Sequence, residues 1–464
     1  MAIINLEKNK LYHLIGIGGT GMSALAKALL DEGLSVSGSD IKENIYTIKL
    51  KDLGAKIFIG HHKKNCQHAD YIIQSSAINP NNAEIIKAKD DGKTIYHRRD
   101  LLNTFIQKYK KSICITGTHG KTTTSAMLVL TLEACLKTCP TFIIGSTLKN
   151  YNTNSYLGDT DYAVFESDES DGSFAHFHPY ITIITNLEAE HLEFFNDEKN
   201  LFKQFSNHIH NLLAKDKYVI YNQDCPHLNK ICQDINHQKC LPFSLKNHLP
   251  LTLHHSSSNA KGTSSLLKHN HQDIQLNLAL FGRQNIENAF AVLQVIKLEN
   301  LSLSWACKSL AKYEGTQRRS EWIGNVQTID IYDDYAHHPK EIFCTLKGFK
   351  ESFKKHITCI FQPHRYSRTR DFYDDFPPAF EFADTIIITE IFSANEAPIP
   401  NINGQDLSKK IKKHWPQKDV LFFKNKSLIA AEKDKFLKNN MLIITMGAGN
   451  INHIGREMLH QLKQ

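Results

Sequence analysis

No stretch of this 464-residue chain is apolar for long enough to cross a bilayer. Its first residues, MAIINLEKNK, contain no signal-peptide core. Membrane insertion is therefore not expected, and the cytoplasm is the expected compartment. There is no CxxC pair among the ten cysteines. Cys225, Cys232 and Cys240 stand near His227 and His237, but their spacing fits no common zinc pattern, so reduced structural thiols are expected. Charge of one sign is not in excess either. The 55 basic and 48 acidic side chains leave a net +7 spread along the chain, which suits anionic small molecules and excludes a nucleic-acid stripe. Repeats of short period are also missing. What remains is a globular composition at a length that holds about two to four domains.

The first hundred residues alternate apolar runs with amphipathic stretches. LYHLIGI, LSVSGS, AKIFIG, YIIQSS and TIYHR read as strands, with a helix over 20–31. The lysine-rich QKYKKS, 107–112, reads as a linker. A second α/β series starts at ICIT (113–116), continues through a helix over 121–136, and includes the strands YAVFE and YITIIT. The polar segment 254–273 reads as a mobile surface loop. A third series starts near 319, with strands TIDIYDD, HITCIFQ, DTIIITE and MLIITMGAG. Strand–helix alternation of this kind predicts parallel α/β sheets.

Two glycine loops stand out. Gly16, Gly18 and Gly21 are spaced GxGxxG between a strand and a helix, with Asp40 closing the next strand. Such a loop lets a pyrophosphate approach the helix N-terminus, and the acid would accept from a ribose hydroxyl. The second loop, Gly117-Thr118-His119-Gly120-Lys121-Thr122, has two residues between its glycines where the common phosphate loop has four. Its context is nevertheless that of a phosphate loop: backbone N–H groups cradle phosphates, Lys121 reaches the β/γ oxygens and the Thr122 hydroxyl meets Mg²⁺.

Behind YAVFE stand Glu166, Asp168, Glu169 and Asp171. Glu166 is placed to hold Mg²⁺, and two of the four acids are expected to be a solvated loop. Asn186 and His191 follow the next strand, with His191 either a second metal ligand or a packing residue. Asn285 and Asn288 fall on one helical face, where amides can read adenine or simply cap and solvate the helix. In the third series, Asp334, Tyr335, His337 and His338 follow one strand, and His364, Arg365 and Arg368 follow another. Arginines beside a histidine suggest a clamp for a carboxylate or phosphate. Arg318 and Arg319, at the junction, are placed to reach a γ-phosphate.

In this order GTHGKTT, ESDESDGSF, TNLEAEH, the Asn-x-x-Asn helix and DDYAHHP resemble the Mur ligase family, over residues 11 to about 455. The resemblance implies three domains in series: a Rossmann-like UDP-substrate domain (1–108), a central P-loop-type ATP-binding domain (109–318) and a Rossmann-like α/β domain (319–464) that helps bind an amino acid. The glycine loop GIGGTGMS and the motif FQPHRYSRT match the member that joins L-alanine to UDP-N-acetylmuramate. ATP and Mg²⁺ are then implied, with a monomer or homodimer expected.

By position, the resemblance places Gly117, Thr118, His119, Gly120, Lys121, Thr122 and Thr123 on ATP. Asn285 and Asn288 face its adenine, and Arg319 and Asp334 complete the nucleotide site. Thr122, Glu166 and His191 hold Mg²⁺, and Lys121, Glu166 and His191 are the catalytic set. Gly16, Gly18, Gly19, Thr20, Gly21, Asp40 and Ser75 bind the UDP-sugar. His337, His338, His364, Arg365 and Arg368 face the amino acid and the acyl phosphate. Glu190, Gln284 and Ser320 depart from the family pattern, where aspartate, histidine and phenylalanine are usual.

A nicotinamide oxidoreductase would account for 13–40 alone, and a P-loop binding module for 113–191 alone. A sister ligase that attaches another amino acid or a recycled peptide, or one that adds glutamates to folate, is a nearer alternative.

Overall fold

The computed structural model describes residues 3–169, 171–190, 192–247, 249–394 and 396–464. The five apolar runs at the start become β1 (Leu11–Ile15), β2 (Ser35–Asp40), β3 (Lys56–Ile59), β4 (Tyr71–Gln74) and β5 (Ile95–His97). They form one sheet in the order β3-β2-β1-β4-β5, with every pair parallel. Parallel neighbours need crossovers. Helices α1 (Thr20–Asp31), α2 (Ile45–Asp52) and α3 (Ala83–Asp90) supply three of them, and α4 (Arg98–Lys108) follows the last strand. The strand order reverses between β1 and β4, which opens a crevice at their carboxyl ends. One buried polar network interrupts the apolar packing. His13 Nε2 lies 2.7 Å from Glu84 Oε2, and Ser39 and Asn65 donate to the same carboxylate.

The second sheet has seven strands: β6 (Lys111–Thr116), β7 (Thr141–Leu148), β8 (Thr153–Tyr156), β9 (Tyr162–Glu166), β10 (Ile181–Ile184), β11 (Tyr218–Asn222) and β12 (Cys240–Phe243). Their order is β12-β11-β10-β6-β9-β7-β8, and only β7 and β8 pair antiparallel. Helix α5 (Lys121–Leu136) follows β6 with the bounds read from the sequence. The run 107–112 is not a linker. It is the end of α4 and the start of β6, where Lys111 Nζ donates to Tyr162 Oη at 2.9 Å and to Glu299 Oε2 at 2.5 Å. Tyr162 and Glu299 give that lysine a fixed place that composition alone does not show.

The first two sheets pack as one compact unit, which comprises the described residues through Leu253 with Leu267–Ile274 and Glu287–Tyr313. Leu25, Phe105, Ile143 and Phe165 share its continuous core. Asn154, on β8, donates to the Thr20 carbonyl at 3.0 Å and so docks the first turn of α1. Cys225 and Cys232 lie in another core cluster of this unit, with Cys240 packed against it.

The segment 254–273 is ordered, contrary to the loop reading. It lies within the sheet of β13 (Leu251–Asn259), β14 (Gly262–His269) and β15 (Gln272–Leu278). Asn270 and His271 take φ of 48° and 63°, the pair of positive values that a two-residue hairpin turn requires. Serine and histidine crowd β13 and β14 and hide their strand pattern, whereas β15 does alternate, with Ile274, Leu276 and Leu278 on one face.

The second unit comprises His254–Leu266, Gln275–Ile286 and Glu314–Gln464. Its main sheet holds β16 (Glu321–Val326), β17 (Ile329–Asp334), β18 (His356–Phe361), β19 (Thr385–Thr389), β20 (Asp419–Phe423) and β21 (Met441–Met446) in the order β16-β17-β21-β18-β19-β20. Only β16 runs antiparallel to its neighbour. Core clusters lie on both faces, which is why the central strands read as unbroken apolar runs. Among the described residues, no helix is long and apolar enough to cross a membrane.

Candidate active site

In the first sheet, Gly16 ends β1 at the switch point with φ of 82°, and a Cβ there would stand 3.2 Å from the Cβ of Ser75. The Gly18 amide donates to Asp40 Oδ2 at 2.8 Å, and Asn44 donates to the Gly18 carbonyl at 3.0 Å. The Ile41 amide donates to the other Asp40 oxygen at 2.8 Å. Asp40 therefore organises the glycine loop as well as standing where a ribose acceptor would. Gly19 and Thr20 are exposed at the start of α1, with Gly21 partly so. The open helix N-terminus is a ready anion site.

In the second sheet, β6, β9 and β10 are parallel neighbours, so the segments after them gather at one edge. Gly117 and Gly120 take φ of 121° and 84°. A Cβ on Gly117 would stand 2.5 Å from Thr185 Oγ1, and one on Gly120 would stand 2.5 Å from Asn288 Oδ1. Asn186 holds the loop closed: its Oδ1 accepts from the His119 amide at 2.8 Å, and its Nδ2 donates to the His119 carbonyl at 3.0 Å. Thr118 is buried, and its hydroxyl accepts from the Glu188 amide at 3.0 Å. Thr123 is buried in the first turn of α5.

Lys121 Nζ donates to the Gly117 carbonyl at 2.7 Å and pairs with Glu169 at 2.8 Å. Burial pulls the lysine pKa down, but the Glu169 and Asp168 charges outweigh it and raise the pKa overall. The Thr122 hydroxyl lies 3.0 Å from both oxygens of Glu166, and the Gly145 amide donates to Glu166 Oε2 at 3.0 Å. A hydroxyl beside a carboxylate is a hard-oxygen donor set, which fits Mg²⁺. The acid cluster is not a solvated loop, because Arg98 pairs with both Asp168 and Asp171. No sequence pattern tied those acids to a residue seventy positions away. His191 lies outside the described residues.

Asn285 and Asn288 both fall on the helix Arg283–Leu298. Asn285 Nδ2 donates back to the Phe281 carbonyl at 2.6 Å, and Asn288 lies against Gly120.

In the second unit, the carboxyl ends of β17, β21 and β18 converge. Arg318 does not reach out for a γ-phosphate. Its Nε bonds Asp333 at 3.1 Å, its Nη1 donates to the Gly449 carbonyl at 2.9 Å and its Nη2 to the Gly447 carbonyl. That use of the guanidinium ties the junction to the loop after β21. Arg319 keeps about a third of its side chain in solvent and lies over the Tyr335 ring.

Asp334 is buried, accepting from the Ala336 amide at 2.8 Å and the Ser320 amide at 2.6 Å. Burial raises its pKa to about 6 against the pull of Arg319. Ser320, one of the departures, adds a hydroxyl contact to Asp334 at 3.2 Å. His337 Nδ1 meets the Tyr335 carbonyl at 2.9 Å. His338 caps the helix Pro339–Ser352 and packs edge-on against Phe372, a structural use of one candidate base.

His364 stacks on Phe392 and lies 3.4 Å from Arg368 Nη1. Burial, then His337 and the arginines, lower its pKa to about 3, so the ring stays neutral in a positive field. Arg365 is exposed, with φ of 69°. Arg318 and Ser320 share this positive φ, so non-glycine strain collects at the convergent edge.

Comparison with known proteins accounts for the same three stretches. Residues 11–110 match the Mur ligase family catalytic domain, 115–296 the Mur ligase middle domain and 318–449 the Mur ligase glutamate ligase domain. A UDP-N-acetylmuramate–L-alanine ligase of Dictyoglomus turgidum is 36% identical over 97% of this chain and 96% of its own length. The crystal structure of the UDP-N-acetylmuramate–alanine ligase MurC from Thermotoga maritima superposes with a TM-score of 0.82 at 27% identity, over 98% of this chain and 99% of the other. A murein peptide ligase from Psychrobacter arcticus shares the fold at a TM-score of 0.70 and 22% identity, over 98% of each chain. With three domain matches in register and a relative 36% identical over nearly its whole length, the chain belongs to the Mur ligase family.

Proposed function

We propose that this chain is an ATP-dependent ligase that joins L-alanine to the lactyl carboxylate of UDP-N-acetylmuramate, in the cytoplasm. The observation that carries the reading is the edge where the first turn of α5, with Lys121 and Thr122, meets Glu166 at the end of β9, the parallel neighbour of β6, in a chain 36% identical to a relative of that activity.

A carboxylate does not condense with an amine in water at useful rates, so it needs a leaving group. The lactyl carboxylate attacks the γ-phosphorus of ATP and ADP departs, leaving an acyl phosphate. The L-alanine nitrogen then attacks the carbonyl carbon, phosphate leaves and the nitrogen gives up its proton. Positioning and charge neutralisation carry the first step. Lys121 and the loop amides hold the phosphates, and Arg319 adds positive charge from the C-terminal domain. Thr122 and Glu166 would hold Mg²⁺, which when bound neutralises phosphate charge. Asn285 and Asn288 face adenine. Asp334 holds the segment that carries Arg319. Arg365, Arg368 and the neutral His364 face the amino-acid carboxylate. The glycine loop at Gly16–Gly21, with Ser75 and Asp40, binds the UDP moiety.

The test is ADP release from ATP and Mg²⁺ with UDP-N-acetylmuramate and a panel of amino acids. Release requiring both the UDP-sugar and L-alanine is expected. Release with glycine, serine or D-glutamate but not L-alanine, or with a tripeptide alone, would overturn the specificity.

A further inference from the structure

Arg98 stands at the first position of α4, directly after β5, where His97 caps the helix. Its guanidinium makes three contacts. Nε donates to Ser76 Oγ at 3.0 Å, and Nη2 meets Asp168 at 3.1 Å and Asp171 at 3.3 Å. Ser76 also donates to Asp171 at 3.1 Å. Two residues of the first sheet thereby grip two acids from the segment after β9.

The third nitrogen points elsewhere. Nη1 lies 3.4 Å from where a Cβ on Gly21 would stand, and the described residues offer it no acceptor. It faces the start of α1, the end of the diphosphate loop. On the other side, Glu169 directly follows Asp168 and pairs with Lys121 of the ATP loop. One guanidinium thus stands between the two phosphate loops. Only 24% of its side chain is exposed and 16% of Asp171, so solvent screens that pair less than a surface pair, while Asp168 is 41% exposed and its pair is screened more.

We propose that Arg98 is a positioning residue that couples the diphosphate loop at Gly16–Gly21 to the acid segment holding Lys121. The inference rests on the ligase reading above. A diphosphate on the first loop brings negative charge beside Nη1 and shares the guanidinium with Asp168 and Asp171. That sharing alters the hold on the peptide that carries Glu169, and so the Lys121 pair. A flat guanidinium fixes its donors on three sides and so serves both loops at once, a geometry that a lysine ammonium reproduces only in part.

The experiment is calorimetric titration of the whole chain with Mg²⁺ and a non-hydrolysable ATP analogue, with and without saturating UDP-N-acetylmuramate. In the wild type, the UDP-sugar should change the analogue affinity by a factor of about 5 or more. Arg98→Ala, and separately Asp168→Asn with Asp171→Asn, should bring that factor to within about twofold of one while each ligand alone still binds. Arg98→Lys should restore only part of it. If Arg98→Ala does not fold, the asparagine pair and the lysine variant carry the test. Wild-type coupling in those folded variants, or none in the wild type, would overturn the role of Arg98. Failure of the wild type to bind either ligand would overturn the ligase reading instead.

Discussion

Lys121 and Glu169 form a buried ion pair at the mouth of the Gly117–Thr122 loop, 2.8 Å apart, with the Glu169 side chain only 4% exposed. The glutamate holds the lysine over the loop carbonyls where phosphate oxygens would meet it. Lys121→Ala should cut ADP release roughly 10²- to 10³-fold and leave UDP-sugar binding nearly intact. It should also lower stability, because a buried carboxylate loses its ammonium partner. Adding Glu169→Gln should recover part of the lost Tm and none of the turnover. Thermal melts and a coupled ADP assay on the three proteins decide it. Substantial turnover in Lys121→Ala would remove the phosphate-loop assignment.

The loop backbone makes a second demand. At Gly117 (φ of 121°) a Cβ would press on Thr185 Oγ1 at 2.5 Å and on the Asn186 carbonyl at 2.7 Å. Gly117→Ala should lower stability by roughly 1–3 kcal/mol and weaken ATP-analogue binding at least about tenfold. Gly19→Ala is the contrast, because its nearest neighbour would be 3.5 Å away. Denaturant titration should show it near the wild type in stability. Equal losses in both variants would mean that the backbone argument is wrong.

Burial raises the Asp334 pKa to about 6 from a reference of 3.8. The folded state therefore holds this proton more tightly than the unfolded state. Its contribution is fully present below pH 3.8 and is lost as pH rises through 6, a fall of up to about 3 kcal/mol. Carboxylates with lowered pKa, such as Asp70 and Asp171, act with the opposite sign, and they remain in any Asp334 variant. The stability difference between wild type and Asp334→Asn, measured by urea unfolding from pH 4 to 7, should therefore shift toward the variant as pH rises. A difference flat in pH contradicts the burial effect.

Arg368 lies beside a His364 ring kept neutral by burial and neighbouring positive charge. A carboxylate is the ligand that such a field favours. Arg368→Ala should raise the L-alanine KM roughly 10- to 100-fold and spare ATP affinity. Steady-state kinetics with each substrate varied in turn will show it, and an unchanged L-alanine KM moves the clamp elsewhere.

Much of this was legible in the chain itself. The apolar runs marked the central strands of the three larger sheets because parallel strands buried on both faces need no alternation. The glycine spacings marked both loops, because positive φ at Gly16, Gly117 and Gly120 is a local demand. Strands β13 and β14 escaped because serine and histidine crowd them, and the pairing that joins them to β15 is not a property of any one segment.

The pattern of residues alone marked where the proposed chemistry would lie: two glycine loops, a carboxylate behind the second, and arginines beside a histidine. Partner choice was left to the tertiary structure. Arg318 proved to be a tether to Gly447 and Gly449, and the acids at 168 and 171 proved to be the partners of Arg98. Backbone preference acts over a few residues and leaves its trace in the sequence. An ion pair joins groups seventy positions apart, and its energy exists only once folding has brought them together and excluded water.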